Sequence, residues 1–128
     1  MGYQKGFPLK EITGKIISCA IEVHSKFGPG LLESVYEEAL AVEFELRKIK
    51  YEKQKEIFLQ YKGHEIGKHR IDFLIENEVI LELKAVNTMH PIFDAQVLTY
   101  LKITRKRIGL LINFNVDLLK DGIKRLIL

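Results

Sequence analysis

The sequence predicts an α/β domain of the α+β kind, a mixed sheet flanked by helices. Two changes of period predict it. Apolar residues recur every three or four positions over the first third of the chain and again after Pro91, the spacing of an amphipathic helix. From Tyr51 to Val86, and from Ile108 onward, they alternate or run together as they do in strands. Length and composition agree: 128 residues make one domain rather than two, and 47% hydrophobic with 29% charged residues is the balance of a chain that buries a core.

Ile12, Ile16, Cys19, Ala20, Val23 and Phe27 form the first apolar stripe and predict a helix from about Leu9 to Lys26. Cys19 sits on that stripe and reads as a small core residue. As the only cysteine it excludes an intrachain disulfide and fits a reducing cytoplasm. Gly28-Pro29-Gly30 stops the helix with a C-cap glycine and lets another begin. Leu31 to about Lys48 is that second helix, with Leu32, Val35, Tyr36, Ala39, Leu40 and Phe44 on one face.

Ile57, Leu59 and Tyr61 then alternate with polar neighbours up to a Lys62-Gly63-His64 turn. Ile71, Phe73 and Ile75 alternate next, and Glu76-Asn77-Glu78 turns the chain into the apolar run Val79 to Val86. Pro91 suits the first turn of a helix that runs through Ala95, Leu98, Tyr100 and Leu101 to about Thr104. Ile108 to Phe114 is a buried strand, Val116 to Asp121 a short helical turn, and Ile123 to Leu128 a last strand. The order is helix, helix, three-strand meander, helix, strand, turn, strand, in a single domain over 1–128.

Several functional classes fall away at once. No apolar stretch approaches the roughly 20 residues of a membrane span, and the N-terminus lacks a signal-peptide core, so a cytoplasmic protein without a membrane partner is expected. The net charge of +3 permits a nucleic-acid partner without arguing for one. Lys102, Arg105, Lys106 and Arg107 form a local basic cluster that a nucleic-acid backbone could meet. Read as plain surface, they are a solvated helix end.

The chemistry concentrates at Val79-Ile-Leu-Glu82-Leu-Lys84-Ala-Val86. Period two sends Leu81, Leu83 and Ala85 to one face, and Ile80, Glu82, Lys84 and Val86 to the other. Two charges thus lie together on a strand otherwise apolar on both faces, where an unpaired buried charge would cost several kcal/mol. A structural ion pair is one explanation, but Asp72 on the preceding strand adds to it. With a three-residue turn over Glu76 to Glu78, Ile75 faces Val79 and Asp72 falls opposite Glu82. A two-residue turn would send Glu82 to the other face. Facing carboxylates repel, and a hard divalent cation between them is the usual remedy.

Asp72 followed by Glu82-x-Lys84 resembles the core of the PD-(D/E)xK nuclease superfamily, the restriction-endonuclease-like fold. Gly30-Leu-Leu-Glu33-Ser-Val-Tyr36 is similar to the signature of the small prokaryotic GxxExxY family within it. The resemblance continues through Gln96 with Tyr100-Leu101-Lys102 and through Gly109-Leu-Leu-Ile-Asn113-Phe114, and it covers nearly everything from Ile12 to Ile127. Asn115 stands where the family has glycine, and Ile71 where the superfamily has proline. The resemblance implies that Asp72, Glu82 and the backbone carbonyl of Leu83 hold the metal, with Glu33 adding to its shell. It further implies that Lys84 orients or helps deprotonate the attacking water. Gln96 and Tyr100, at i and i+4, resemble the QxxxY motif of RecB-type nucleases. Oxygen ligands without paired histidines or further cysteines point to Mg²⁺ or Mn²⁺ rather than zinc.

The expectation is therefore a metal-dependent nuclease acting on DNA, with RNA left open and a homodimer as one way to gain specificity. The rival is a non-catalytic module that binds nucleic acid or protein through the same cleft. Glu33 has its own plain explanation at a helix start, where a carboxylate complements the dipole. Tyr36 and Tyr100 could be core residues, and His24 a structural helix-end residue.

Overall fold

The computed structural model describes residues 2–128, with side chains from Leu9 onward. Two helices lead, α1 (Gly2–Phe27) and α2 (Glu33–Leu46). A meander follows, β1 (Tyr51–Tyr61), β2 (His64–Ile75) and β3 (Val79–Lys84). Then come α3 (Pro91–Thr104), β4 (Ile108–Asn113), a 3₁₀ turn (Leu119–Gly122) and β5 (Ile123–Ile127). This is the order expected. The five strands lie in sequence order, and the β3–β4 pair alone is parallel, with α3 as the crossover that a parallel connection needs. Among the described residues no helix is long and apolar enough to cross a membrane.

The sheet is covered on both faces. Against one, α1 and α2 pack Ile16, Ala20, Tyr36, Leu40 and Phe44 onto Phe73, Ile75, Leu81, Leu83 and Phe114. Against the other, α3 lays Val97, Tyr100 and Leu101 over Ile71, Ile80 and Leu111. Leu81 and Leu83 therefore face α1 and α2 while Ile80 faces α3, the alternation expected for β3. Cys19 is a fully buried core residue, and burial pushes its thiol pKa up. His24 is buried as well, its Nε2 2.7 Å from the Val116 carbonyl, so it tethers α1 to the β4–β5 connection.

Four details differ from expectation. The first helix starts at Gly2 instead of Leu9, because residues 2–8 do not continue the apolar stripe. The strand expected around Ile71 begins at His64, since its first half is exposed and carries no alternation of burial. The strand expected to reach Val86 ends at Lys84, where the sheet runs out. The largest correction concerns α2. Its expected single face is divided: Tyr36, Leu40 and Phe44 are buried, whereas Leu32 and Val35 are exposed and Ala39 is half-buried. Those six residues span too wide an arc for one core to cover.

The β2–β3 turn has three residues, as required. Glu76 and Asn77 take left-handed backbone angles (φ 52° and 59°), Glu78 N–H bonds to the Ile75 carbonyl at 2.9 Å, and Ile75 pairs with Val79. Asn77 is thus at a hairpin tip, but at the end of the strands away from Asp72. Two irregularities were not foreseen. The β1–β2 register shifts between Leu59 and Gln60, and it breaks at Gln54, whose φ is 55° and which, like Asp72, has no place among the pairs. On one side of this break Phe73 packs toward α1 and α2; on the other Ile71 and Ile57 pack toward α3. The register is the same on both sides, Lys53–Phe73 and Lys55–Ile71, so no residue is inserted; the left-handed Gln54 accompanies a change in which side chains face each layer.

Gly109 of β4 marks a close approach of α3 to the sheet. A Cβ there would stand 2.6 Å from Val97 Cγ1 and 3.4 Å from the Ile80 carbonyl oxygen. Gly109→Ala should destabilise the fold by about 1–3 kcal/mol in urea titration. Adding Val97→Ala should recover part of that loss, and strict additivity of the two would show that this contact is not the cause.

Candidate active site

The site begins where the β2–β3 ladder stops. Its pairs run Ile75–Val79, Leu74–Ile80 and Phe73–Leu81, so the next position sets Asp72 against Glu82. There the strands part, and side chains take over the backbone groups. The Glu82 carboxylate accepts from Asp72 N–H at 2.7 Å, and the Asp72 carboxylate accepts from Leu83 N–H at 2.8 Å. Each acid is held by the other's strand, which fixes both against rotation. The two carboxylates expected to converge are therefore brought together.

Burial sets their chemistry. Glu82 is 6% exposed, and desolvation, then the charge of Asp72, pushes its pKa up to about 8. Asp72 is also raised, by burial foremost, against the lowering effects of the Leu83 N–H and Lys84. Lys84 ends β3 half-buried, with its Nζ 4.4 Å from the centroid of the Phe93 ring on α3. That cation–π contact steadies the ammonium without a carboxylate partner. The Lys84 backbone is fixed too, because its carbonyl accepts from Phe114 N–H at 2.9 Å.

Glu33 reaches the site from α2. Its pKa is raised by burial and then by Asp72, with Lys84 opposing, so it shares their electrostatic field. It also occupies the first turn of α2, where a carboxylate complements the helix dipole. The spacing from Gly30 to Tyr36 explains how it is placed. Gly30 has φ 108°, the Tyr36 hydroxyl donates to the Gly28 carbonyl at 2.6 Å, and it accepts from Leu31 N–H at 3.1 Å. The Tyr36 ring stacks on Phe114 at 4.5 Å. Tyr36 is a core residue that clamps the loop immediately before Glu33 and ties it to the segment bonded to Lys84.

Sequence reasoning missed two partners. Glu37, one turn after Glu33, accepts from Gln54 Nε2 through both carboxylate oxygens at 3.1 and 3.0 Å. The same amide lies 3.4 Å from Asp72 Oδ1, so Gln54 spans two acids. Burial raises the Glu37 pKa as well. The i, i+4 spacing of Glu33 and Glu37 was a usable signal, whereas nothing in the sequence announced the left-handed Gln54.

Tyr100 is almost buried, with its hydroxyl 3.5 Å from His69 Nδ1. Its pKa is raised by burial, then by the charges of Glu82 and Asp72, which places it within their field. Gln96 is half-buried and lines a shallow pocket with Tyr100, His69 and Leu59. The basic cluster is elsewhere. Arg105 caps the C-terminus of α3 at φ 59°, and Lys106 and Arg107 lead into Ile108, which pairs with Val79 at the start of β3. Lys102, Arg105, Lys106 and Arg107 therefore sit at the opposite end of β3 from Glu82 and Lys84.

Buried acids whose pKa values are raised, opposed by one ammonium, form a hard oxygen donor set that suits a divalent cation. Among the described residues, however, no three such side chains already stand in a ligating array. The trio of Glu33, Asp72 and Glu82 shares one field without being gathered, and two of its members direct an oxygen at a backbone N–H. Leu83, whose carbonyl was expected to assist, lies at the fork with its N–H held by Asp72.

A family model described as the PD-(D/E)XK nuclease superfamily matches residues 10–126, nearly the whole chain. No curated protein matches it. The three helices and five-stranded mixed sheet are consistent with the restriction-endonuclease-like fold.

The raised pKa of Glu82 has a definite sign. Its folded value of about 8 lies above the ordinary 4.5, so the folded protein holds this proton more tightly than the unfolded chain. Metal-free stability should then fall as pH rises through that window. Glu82→Gln should flatten the decline, melting several degrees above wild type at alkaline pH and close to it at pH 4. Equal melting profiles for the two proteins would contradict this account of Glu82.

Proposed function

Because the chain belongs to the PD-(D/E)XK nuclease superfamily, we propose that it is a metal-dependent nuclease that hydrolyses phosphodiester bonds of DNA, as a single domain over residues 1–128. The observation that carries the reading is the fork at which Asp72 and Glu82 are locked together beside Lys84. Within the superfamily the chain fits the prokaryotic GxxExxY group through Gly30, Glu33 and Tyr36, whose spacing has a structural reason in the Tyr36 clamp.

Asp72, Glu82 and the Leu83 carbonyl would hold Mg²⁺ or Mn²⁺, with Glu33 contributing from α2. Such an ion, when bound, supplies Lewis acidity toward a phosphoryl oxygen and lowers the pKa of water. Lys84 brings a positive charge to the mouth of the fork, where it can orient the attacking water and oppose the charge that grows on the phosphate. Tyr100 and Gln96 flank the site from α3 and offer a hydroxyl and an amide to phosphate oxygens. Burial of the fork strengthens each of these interactions relative to water. Lys102, Arg105, Lys106 and Arg107 lie too far along the sheet to touch the scissile group. If they meet nucleic acid, they do so on a flanking stretch of the polymer.

The test is cleavage of labelled single- and double-stranded DNA and RNA with Mg²⁺ or Mn²⁺ against EDTA. Wild type should cut DNA only with metal. Asp72→Ala and Lys84→Ala should lose on the order of 10²–10⁴-fold in rate while keeping a cooperative melt. If wild type binds the metal yet cuts no polymer, the nuclease reading fails and a binding module with the same fold takes its place.

A further inference from the structure

Helix α2 and the Leu32 that caps it carry a second apolar row, of which the core touches only the middle residue, Ala39. Leu32, Val35, Ala39, Val42 and Leu46 follow one another at intervals of three and four, the spacing of a helix-pairing seam. Leu32 is 74% exposed, Val42 58%, Leu46 72% and Val35 39%, with half-buried Ala39 between them. The buried row of the same helix, Tyr36, Leu40 and Phe44, lies roughly 100° further round its axis. Single exposed apolar residues need no explanation, but a continuous row does.

The row is the same read in either direction: Leu, Val, Ala, Val, Leu. That symmetry matters because in a two-fold contact each residue meets one equally far from the axis on the other copy. Two antiparallel α2 helices crossing at Ala39 would set Leu32 against Leu46, Val35 beside Val42, and Ala39 against itself. The smallest side chain falls at the crossing, where the backbones come closest. Charge does not oppose the arrangement. Glu38, on one border of the row, is paired with Lys53 of its own chain, and Glu43, on the other, with Arg47 at 2.8 Å. Glu45 accepts from the Tyr51 hydroxyl. The row offers a pair of copies roughly 900 Å² of buried surface, close to the size of a specific interface.

We propose that α2 is a dimerisation helix, and that its outer row is occupied by α2 of a second copy of this chain, antiparallel and centred on Ala39. The interface uses none of the site acids and stands independently of the nuclease reading. It would join two sites in one particle, with the two Glu33 residues about 18 Å apart along the paired helices.

Introduced cysteines test it, because the only native one, Cys19, is fully buried. Helices 8–10 Å apart bring facing Cα atoms at a crossing to within about 4–6 Å, which suits a disulfide. Under mild oxidation Ala39→Cys should form a covalent dimer, much faster than a control such as Gln60→Cys on the exposed ribbon. Leu46→Cys alone should not, since its two copies would lie about 21 Å apart. A mixture of Leu32→Cys and Leu46→Cys proteins should cross-link. In sedimentation, Val42→Glu should shift the dimer to a monomer with an unchanged melt. A monomeric wild type at high concentration, an Ala39→Cys rate no greater than the control's, or self-coupling of Leu46→Cys would overturn the proposal.

Discussion

A slip of one residue between β2 and β3 would carry Glu82 to the face away from Asp72, and the left-handed pair Glu76 and Asn77 guards against it. These residues close a three-residue turn, and the register they set reaches three pairs down the ladder to the point where the strands part. Only in that register can each acid take a backbone N–H from the other strand. The exchange serves two ends. It satisfies the amide groups that the parted strands would otherwise leave unpaired in a buried place, and it fixes two repelling carboxylates side by side. The loop clamp by Tyr36, the bond from Phe114 to Lys84 and the seat of Lys84 on Phe93 all add parts around that fixed pair.

Most of the fold was legible because its signals are local. Period three-to-four marked α1, α2 and α3, period two marked the meander, and parity along Val79–Lys84 placed Leu81 and Leu83 against one layer and Ile80 against the other. The odd-numbered turn followed from asking where two charges on an apolar strand would find company. What escaped the sequence was non-local. The exposed first half of β2 is held by pairing with β1, which its own residues do not advertise. The divided apolar arc of α2 depends on how much of it α1 and the sheet leave uncovered.

The site was legible to the same degree and for the same reason. Asp72, Glu82 and Lys84 are close in sequence and lie on paired strands, so register arithmetic could join them. Glu33 came from a resemblance, and its place within the field of Asp72 required a loop, a helix start and a clamp that no spacing rule supplies. Gln54 and Glu37 were missed because a left-handed glutamine in mid-strand leaves no compositional trace. The cluster from Lys102 to Arg107 drew attention by its charge, yet its place depends on the direction of α3, which carries it away from the fork.

The kink at Gln54 has one more effect. β1 is an outer strand of eleven residues, and an outer strand that long offers neighbouring molecules a template for runaway sheet growth. The left-handed residue divides that template into two short pieces whose side chains face different ways, although β2 keeps one register across it. The distortion that lets an amide bridge two acids thus also shortens each straight stretch of edge that a foreign strand would meet.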